Sequence, residues 1–178
     1  MHKILTQALV SILYAALILF STSTFAAKIS PIGTQEGQMA PNFQVNKLDG
    51  SSFNLADYKG KKPVYLIFWA TWCPTCKEEI PGFKALHQEM GNQIEVIAVN
   101  VDSLSWWSSL TRSNSRVEHY VKKYEINYPV ALDDDKKLIE LYQVRGTPTQ
   151  LLIDKEGIVR RRYPILNAKT ISLIKSSL

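Results

Sequence analysis

The chain has 178 residues, 46% of them hydrophobic and 21% charged, with a formal net charge of +5. That length suits one domain with a sizeable core, and that composition excludes a chain disordered throughout. The basic excess is small and scattered apart from Arg160-Arg161-Arg162. We read that run as a solvated strand edge rather than a nucleic-acid patch.

Lys3 precedes an uncharged apolar stretch over 4–20, and small and polar residues follow to Ala27. A short basic region, an apolar run and a small-residue end together predict a secretory signal. Cleavage after Ala26 leaves Thr24 and Ala26 at the positions that want small residues. The alternative is an uncleaved membrane anchor, for which the stretch is at the short limit. Thr6, Gln7 and Ser11 dilute it and favour cleavage. No cysteine lies near the junction, which argues against a lipid-anchored form. Either outcome places the domain in an exported, oxidising compartment such as the periplasm. Removal of residues 1–26 takes one basic residue and no acid, leaving +4.

Residues 27–38 are polar, with two glycines and a proline, and read as a linker. The domain is expected over 39–178. Phe43-Gln44-Val45 and Ser52-Phe53-Asn54 flank Leu48-Asp49-Gly50, a hairpin signal. Residues 55–59 suit one helical turn ended by Gly60. Val64–Trp69 is continuously apolar, as a strand covered on both faces should be. A helix over 74–90 follows, with Ile80, Phe83, Leu86 and Met90 at helical spacing, a kink expected at Pro81, and Gly91 as its stop.

A second buried strand is expected over 94–101. The Ser-rich segment 102–115 follows and contains Trp106-Trp107, read either as a partner surface or as packing over the sheet. Then come a helix over 117–124, a short strand over 128–132 and a short helix over 136–142. Strands over 149–154 and 158–163 flank Lys155-Glu156-Gly157 as a second hairpin, and an amphipathic helix over 168–178 closes the chain. This order predicts an α/β fold with a mixed sheet covered on both faces.

The chemistry is concentrated in Trp69-Ala70-Thr71-Trp72-Cys73-Pro74-Thr75-Cys76, which holds the only two cysteines. A strand, a turn and a helix beginning near Cys73 put the two sulfurs on one helical face, within bonding reach. Pro74 falls at the first helical position, where its missing N–H costs nothing. Free N–H groups and the helix dipole favour a thiolate at Cys73, while Cys76, one turn in, should be shielded. An exposed thiolate plus a shielded resolving thiol is what disulfide exchange needs. A structural zinc site needs two more ligands, and His87 and His119 lack paired spacing. A two-thiolate Cu(I) site is harder to exclude. A purely structural disulfide closes too short a loop to constrain much.

The motif F-W-A-T-W-C-P-T-C-K, with Gly146-Thr147-Pro148-Thr149 before a later strand, resembles the thioredoxin-like superfamily. The segment A-P-N-F…L-D-G…L-A-D-Y-K-G-K over 40–61 is similar to the TlpA/ResA-like branch of exported thiol-disulfide oxidoreductases. The resemblance implies a central mixed sheet flanked by helices, with an N-terminal β-hairpin and the redox pair at the start of the first long helix. It implies Cys73 and Cys76 as the catalytic pair, supported by Trp72, Pro74, Glu79, Thr147 and Pro148. Pro148 aligns with the family's cis-proline beside the pair, and Thr147 should contact the pair. An acid at Glu79 is associated in this branch with tuning the cysteines and with proton transfer, whereas helix spacing alone equally suits a solvated surface glutamate. No cofactor or metal is implied. The partners implied are protein thiols or disulfides, on which the protein acts as a reductant sooner than as an oxidant, and a membrane-embedded electron donor. Cytochrome c maturation is a known setting of the branch.

Two positions and one segment depart from the pattern. Ile67 stands where thioredoxin has a buried Asp, and Thr149 where the cytochrome c branch with a C-P-T-C pair usually has an acid. The segment 102–115 is long for the family. A peroxidase of the related peroxiredoxin type wants Thr or Ser three residues before its attacking cysteine and Pro seven before; Ala70 and Leu66 occupy those positions.

Overall fold

The computed structural model describes residues 30–105, 114–133, 135–163, 165–166 and 168–176. The predicted signal segment and Trp106-Trp107 lie outside the described residues. The elements are β1 (Gln44–Asn46), β2 (Ser52–Asn54), β3 (Val64–Trp69), α1 (Pro74–Met90), β4 (Glu95–Asn100), α2 (Asn114–Lys123), β5 (Val130–Leu132), α3 (Lys137–Leu141), β6 (Thr149–Ile153), β7 (Val159–Tyr163) and α4 (Ala168–Ser176). Short 3-10 turns occupy Leu55–Tyr58 and Asp102–Leu104. No helix among the described residues is long and apolar enough to cross a membrane.

The five-stranded sheet has the order β5-β4-β3-β6-β7. β3 and β4 run parallel, as do β4 and β5, while β6 lies antiparallel to β3 and β7 antiparallel to β6. β3 is therefore central, and all six of its residues are buried. Its side chains alternate between two cores, as a strand period of two requires. Val64, Leu66 and Phe68 join the hairpin residues Phe43 and Phe53 and the α3 residues Leu138 and Ile139 on one face. Tyr65, Ile67 and Trp69 join Phe83 and Leu86 of α1, Val117 of α2 and Ile174 of α4 on the other. The expected mixed sheet, covered on both sides, is what forms.

β1 and β2 make the predicted hairpin as a separate two-stranded sheet. Gly50 at φ +82° serves its turn, a backbone position that favours glycine. Leu48 N–H donates to the Val130 carbonyl at 2.9 Å and Lys47 bridges Ala131, so the hairpin covers the β5 edge.

The opposite edge is covered by the lead-in. Gly37 N–H donates to the Val159 carbonyl (2.8 Å), Val159 N–H to the Gln38 carbonyl (2.9 Å) and Ala40 N–H to the Gly157 carbonyl (2.8 Å). Residues 30–38, polar enough to suggest a linker, thus lie along the start of β7, and Thr34 is buried.

α1 runs unbroken through Pro81, whose ring is exposed. Gly91 caps it, but at φ −57°, not in the left-handed conformation of a typical glycine stop. Its value is steric: a Cβ there would meet the His87 carbonyl oxygen at 2.6 Å.

Candidate active site

Cys73 occupies the cap position of α1, with φ −89° and ψ 110°, and Pro74 opens the first turn. Its sulfur accepts a hydrogen bond from the Cys76 backbone N–H at 3.1 Å. Capping by a side chain that accepts from the third helical N–H normally falls to Ser, Thr, Asp or Asn; here the sulfur takes that place and lies where the helix field favours negative charge. Cys73 and Cys76 are joined as a disulfide, their Cα atoms 5.3 Å apart. Among the described residues no cluster of three or more His, Cys, Asp or Glu could hold a metal ion.

One expectation is corrected. Cys73 was expected to be exposed and Cys76 shielded, yet both residues are about 4% exposed in the disulfide. Both cysteines belong to the buried cluster that also holds Trp69, Ala70 and Phe83. What faces solvent is the residue on each side of Cys73: Pro74 is exposed and Trp72 is 44% exposed. Ala70 and Leu66 are fully buried.

The turn before Cys73 is held from β4. Asp102, just past that strand, accepts from the Thr71 N–H and the Thr71 hydroxyl, each at 2.7 Å. Asn100 donates to the same carboxylate at 3.2 Å and accepts the Asp102 N–H at 3.1 Å. Sequence reasoning missed Asp102. The available signal was an acid just past a strand whose interior is apolar, beside the end of the central strand.

Glu79 is not a solvated surface acid. It is 6% exposed on the inner face of α1. Both of its carboxylate oxygens accept from the Gln150 side-chain amide at 3.0 Å, and one also accepts the Leu166 N–H. Gln150 is fully buried on β6 and accepts the Tyr65 hydroxyl at 2.6 Å. Burial pushes the Glu79 carboxyl above its ordinary range; the bonds from Leu166 and Gln150 oppose this and the nearby Glu78 charge adds to it. Burial likewise raises Tyr65 far above a normal phenol, so it remains a donor. Gln150 was legible in principle: it is an amide set directly before the apolar run Leu151-Leu152-Ile153 of the same strand. Ile67 replaces thioredoxin's acid on β3 and pairs in register with Gln150.

The Thr147–Pro148 peptide is cis. Thr147 and Pro148 line an open groove of about 450 Å³ together with Thr75, the residue between the cysteines. The Thr147 hydroxyl is buried and has no hydrogen-bond partner among the described residues. Thr149 donates its hydroxyl to the Gly146 carbonyl at 2.8 Å, closing the turn that precedes β6. The groove thus joins the cysteine loop, through Thr75, to Thr147 and Pro148 of the turn before β6, while Glu79 lies one turn beyond Cys76 on α1.

A thiol pair at the helix start after the central strand of a mixed sheet is the thioredoxin-like arrangement, and the chain belongs to the AhpC/TSA family, whose model matches residues 36–162. Within that fold it belongs with thiol-disulfide oxidoreductases of the ResA type. ResA of Bacillus subtilis is 38% identical over 138 residues, 77% of this chain and 70% of ResA. The thioredoxin-like protein YneN of the same organism is 37% identical over 130 residues, 72% of this chain and 71% of YneN. Among solved structures, the exposed lipoprotein thioredoxin Etrx1 of Streptococcus pneumoniae matches with a TM-score of 0.65 at 34% identity, covering 78% of this chain and all of Etrx1.

Proposed function

We propose that this protein is an exported thiol-disulfide oxidoreductase that reduces disulfides in other proteins through Cys73 and Cys76. The observation that carries the reading is the Cys73–Cys76 disulfide at the helix cap, with the Cys76 N–H directed at the Cys73 sulfur. In the reduced form the same N–H and the helix field stabilise a Cys73 thiolate, the nucleophile of exchange. That thiolate attacks one sulfur of a partner disulfide, whose other sulfur leaves as a thiolate. The Cys76 thiol then loses its proton and attacks the Cys73 sulfur. The second partner thiol is released, and the enzyme is left as the Cys73–Cys76 disulfide. Two electrons have passed to the partner, and an external dithiol donor must return them.

Glu79 lies one turn beyond Cys76 on the inner face of α1, with its carboxyl held above the ordinary range by burial. We assign it the proton of the second thiol, the role left open by Ile67. Pro148 and Thr147 form the wall against which an extended partner segment lies. Supply by a membrane-embedded donor, and service to cytochrome c maturation, rest on the ResA resemblance.

The test is Cys76→Ala in the native host. It removes the resolving thiol, so partners accumulate as mixed disulfides on Cys73. If nothing is trapped while the wild-type protein loads Cu(I) stoichiometrically, a metal-handling role replaces this one. Direction is read from the reduction potential: a reductant belongs nearer about −270 mV and an oxidant nearer about −120 mV. A value at the oxidising end overturns the reductase assignment and leaves exchange itself standing.

A further inference from the structure

The three consecutive arginines of β7 have different fates. Arg160 forms an ion pair with Asp154 at 2.5 Å and Arg161 with Glu36 at 2.7 Å. Both charges are therefore met at the rim of the sheet. Arg162 is half-buried and donates to the Tyr142 and Gln143 carbonyls at 3.3 Å. These carbonyls engage three of its five N–H groups, and among the described residues no carboxylate pairs with its charge. Arg162 lines the groove beside Pro148, and so does the exposed Arg145, three residues before that proline. Among the described residues no acidic side chain lines the groove.

The same groove is bounded by Thr75 of the cysteine loop and by Ile165, which is 47% exposed. Trp72, 44% exposed, flanks Cys73. A partner segment reaching Cys73 along the groove thus meets apolar surface and two cationic heads. An extended chain advances about 3.3 Å per residue, so side chains within about two or three residues of the reacting cysteine fall within reach of an arginine. Guanidinium groups take carboxylates as two parallel hydrogen bonds, and unpaired charge at a rim selects partners by sign.

We propose that this groove makes the protein selective for partner segments that carry Asp or Glu beside the reacting cysteine, with Arg145 and Arg162 as the determinants. The proposal rests on the disulfide-exchange reading and adds a substrate class to it. It also assigns a use to the one arginine of the Arg160-Arg161-Arg162 run that has no carboxylate partner among the described residues.

The experiment uses the reduced full chain and two peptides, each with a single cysteine held as a disulfide with mercaptoethanol. One peptide has glutamates on both sides of the cysteine and the other has lysines. Formation of oxidised protein is followed for each. The glutamate peptide is expected to react about tenfold faster, and the ratio should shrink at high salt as screening shortens to a few ångströms. Arg145→Lys should keep the order, and Arg145→Glu should abolish or reverse it. Equal rates for the two peptides overturn the proposal, as does an order that survives Arg145→Glu. A loss in Arg145→Glu that is the same for both peptides marks a structural role and also overturns it. Failure of every peptide to react sinks the exchange reading itself, and this proposal with it.

Discussion

The Gln150 amide donates to both oxygens of the Glu79 carboxylate at 3.0 Å, and its own orientation is set by the Tyr65 hydroxyl that it accepts at 2.6 Å. An amide turned the other way would present its oxygen to the carboxylate, two acceptors facing each other. The buried acid therefore has a fixed donor pair on β6 and a third donor at Leu166.

This arrangement has a pH signature. The folded-state Glu79 carboxyl lies above its ordinary value of 4.5, chiefly through burial. Between the two values the folded protein holds more protons than the unfolded chain. Stability is thus full below about pH 4.5 and is lost as pH rises through the folded-state value. Glu79→Gln should remove this fall. Gln150→Leu takes away two donors and should extend the fall to higher pH. Denaturant unfolding of the oxidised protein between about pH 4 and 8 measures both, and parallel profiles for wild type and Glu79→Gln would sink the assignment.

Asp102→Ala should destabilise the turn before Cys73. The substitution strands the Thr71 N–H, part-buried and bonded at 2.7 Å, and costs about 1–3 kcal/mol. Thr71→Ala removes only the hydroxyl partner and should cost less, about 0.5–1.5 kcal/mol. Chemical denaturation of the two variants gives the order; a larger loss in Thr71→Ala contradicts it.

Tyr142→Phe tests how the hairpin lead-in is tied to α3. The fully buried Tyr142 hydroxyl donates to the Pro41 carbonyl at 2.6 Å, across 101 positions of sequence. Its removal leaves a buried acceptor unmatched, for a cost of about 1–3 kcal/mol. A chain of this size loses roughly 2–4 °C in Tm per kcal/mol, so a calorimetric Tm unchanged from wild type rules the bond unimportant.

Reducing the Cys73–Cys76 bond should lower stability only modestly. The cysteines are three positions apart, and closing so short a loop is worth roughly 2 kcal/mol in chain entropy. Denaturation with and without dithiothreitol reads the difference. A loss beyond about 4 kcal/mol would mark the bond as a structural staple rather than one made to be broken.

Much of the framework was legible because it depends on short-range rules. Val64–Trp69 and Pro74–Met90 have the bounds expected from an unbroken apolar run and from a proline-to-glycine span with helical spacing. The hairpin around Asp49-Gly50 and the terminal hairpin around Gly157 follow from turn chemistry in the same way. The helix-cap position of Cys73 follows too, since Pro74 fixes where the helix begins. The exposure of Cys73 did not follow, because sulfur burial depends on the neighbours the disulfide turns toward, not on helix position.

What the sequence determined by itself is the order of elements, the family-level pattern and the pair Cys73 and Cys76 at a helix start. Those features are written in contacts within a turn or two of chain. What only the tertiary structure decided is the company the pair keeps. Glu79 is buried because β6 lies antiparallel beside β3 and brings Gln150 over α1, a separation of 71 residues. Asp102 reaches Thr71 because β4 runs parallel to β3 and ends beside it. Arg162 lines one groove with Thr75 and Pro148 while Arg160 and Arg161 find carboxylates, a difference set by β7's edge position and by what packs along it. Buried polar groups demand partners wherever the fold can supply them, and local sequence carries no record of which distant residue that will be.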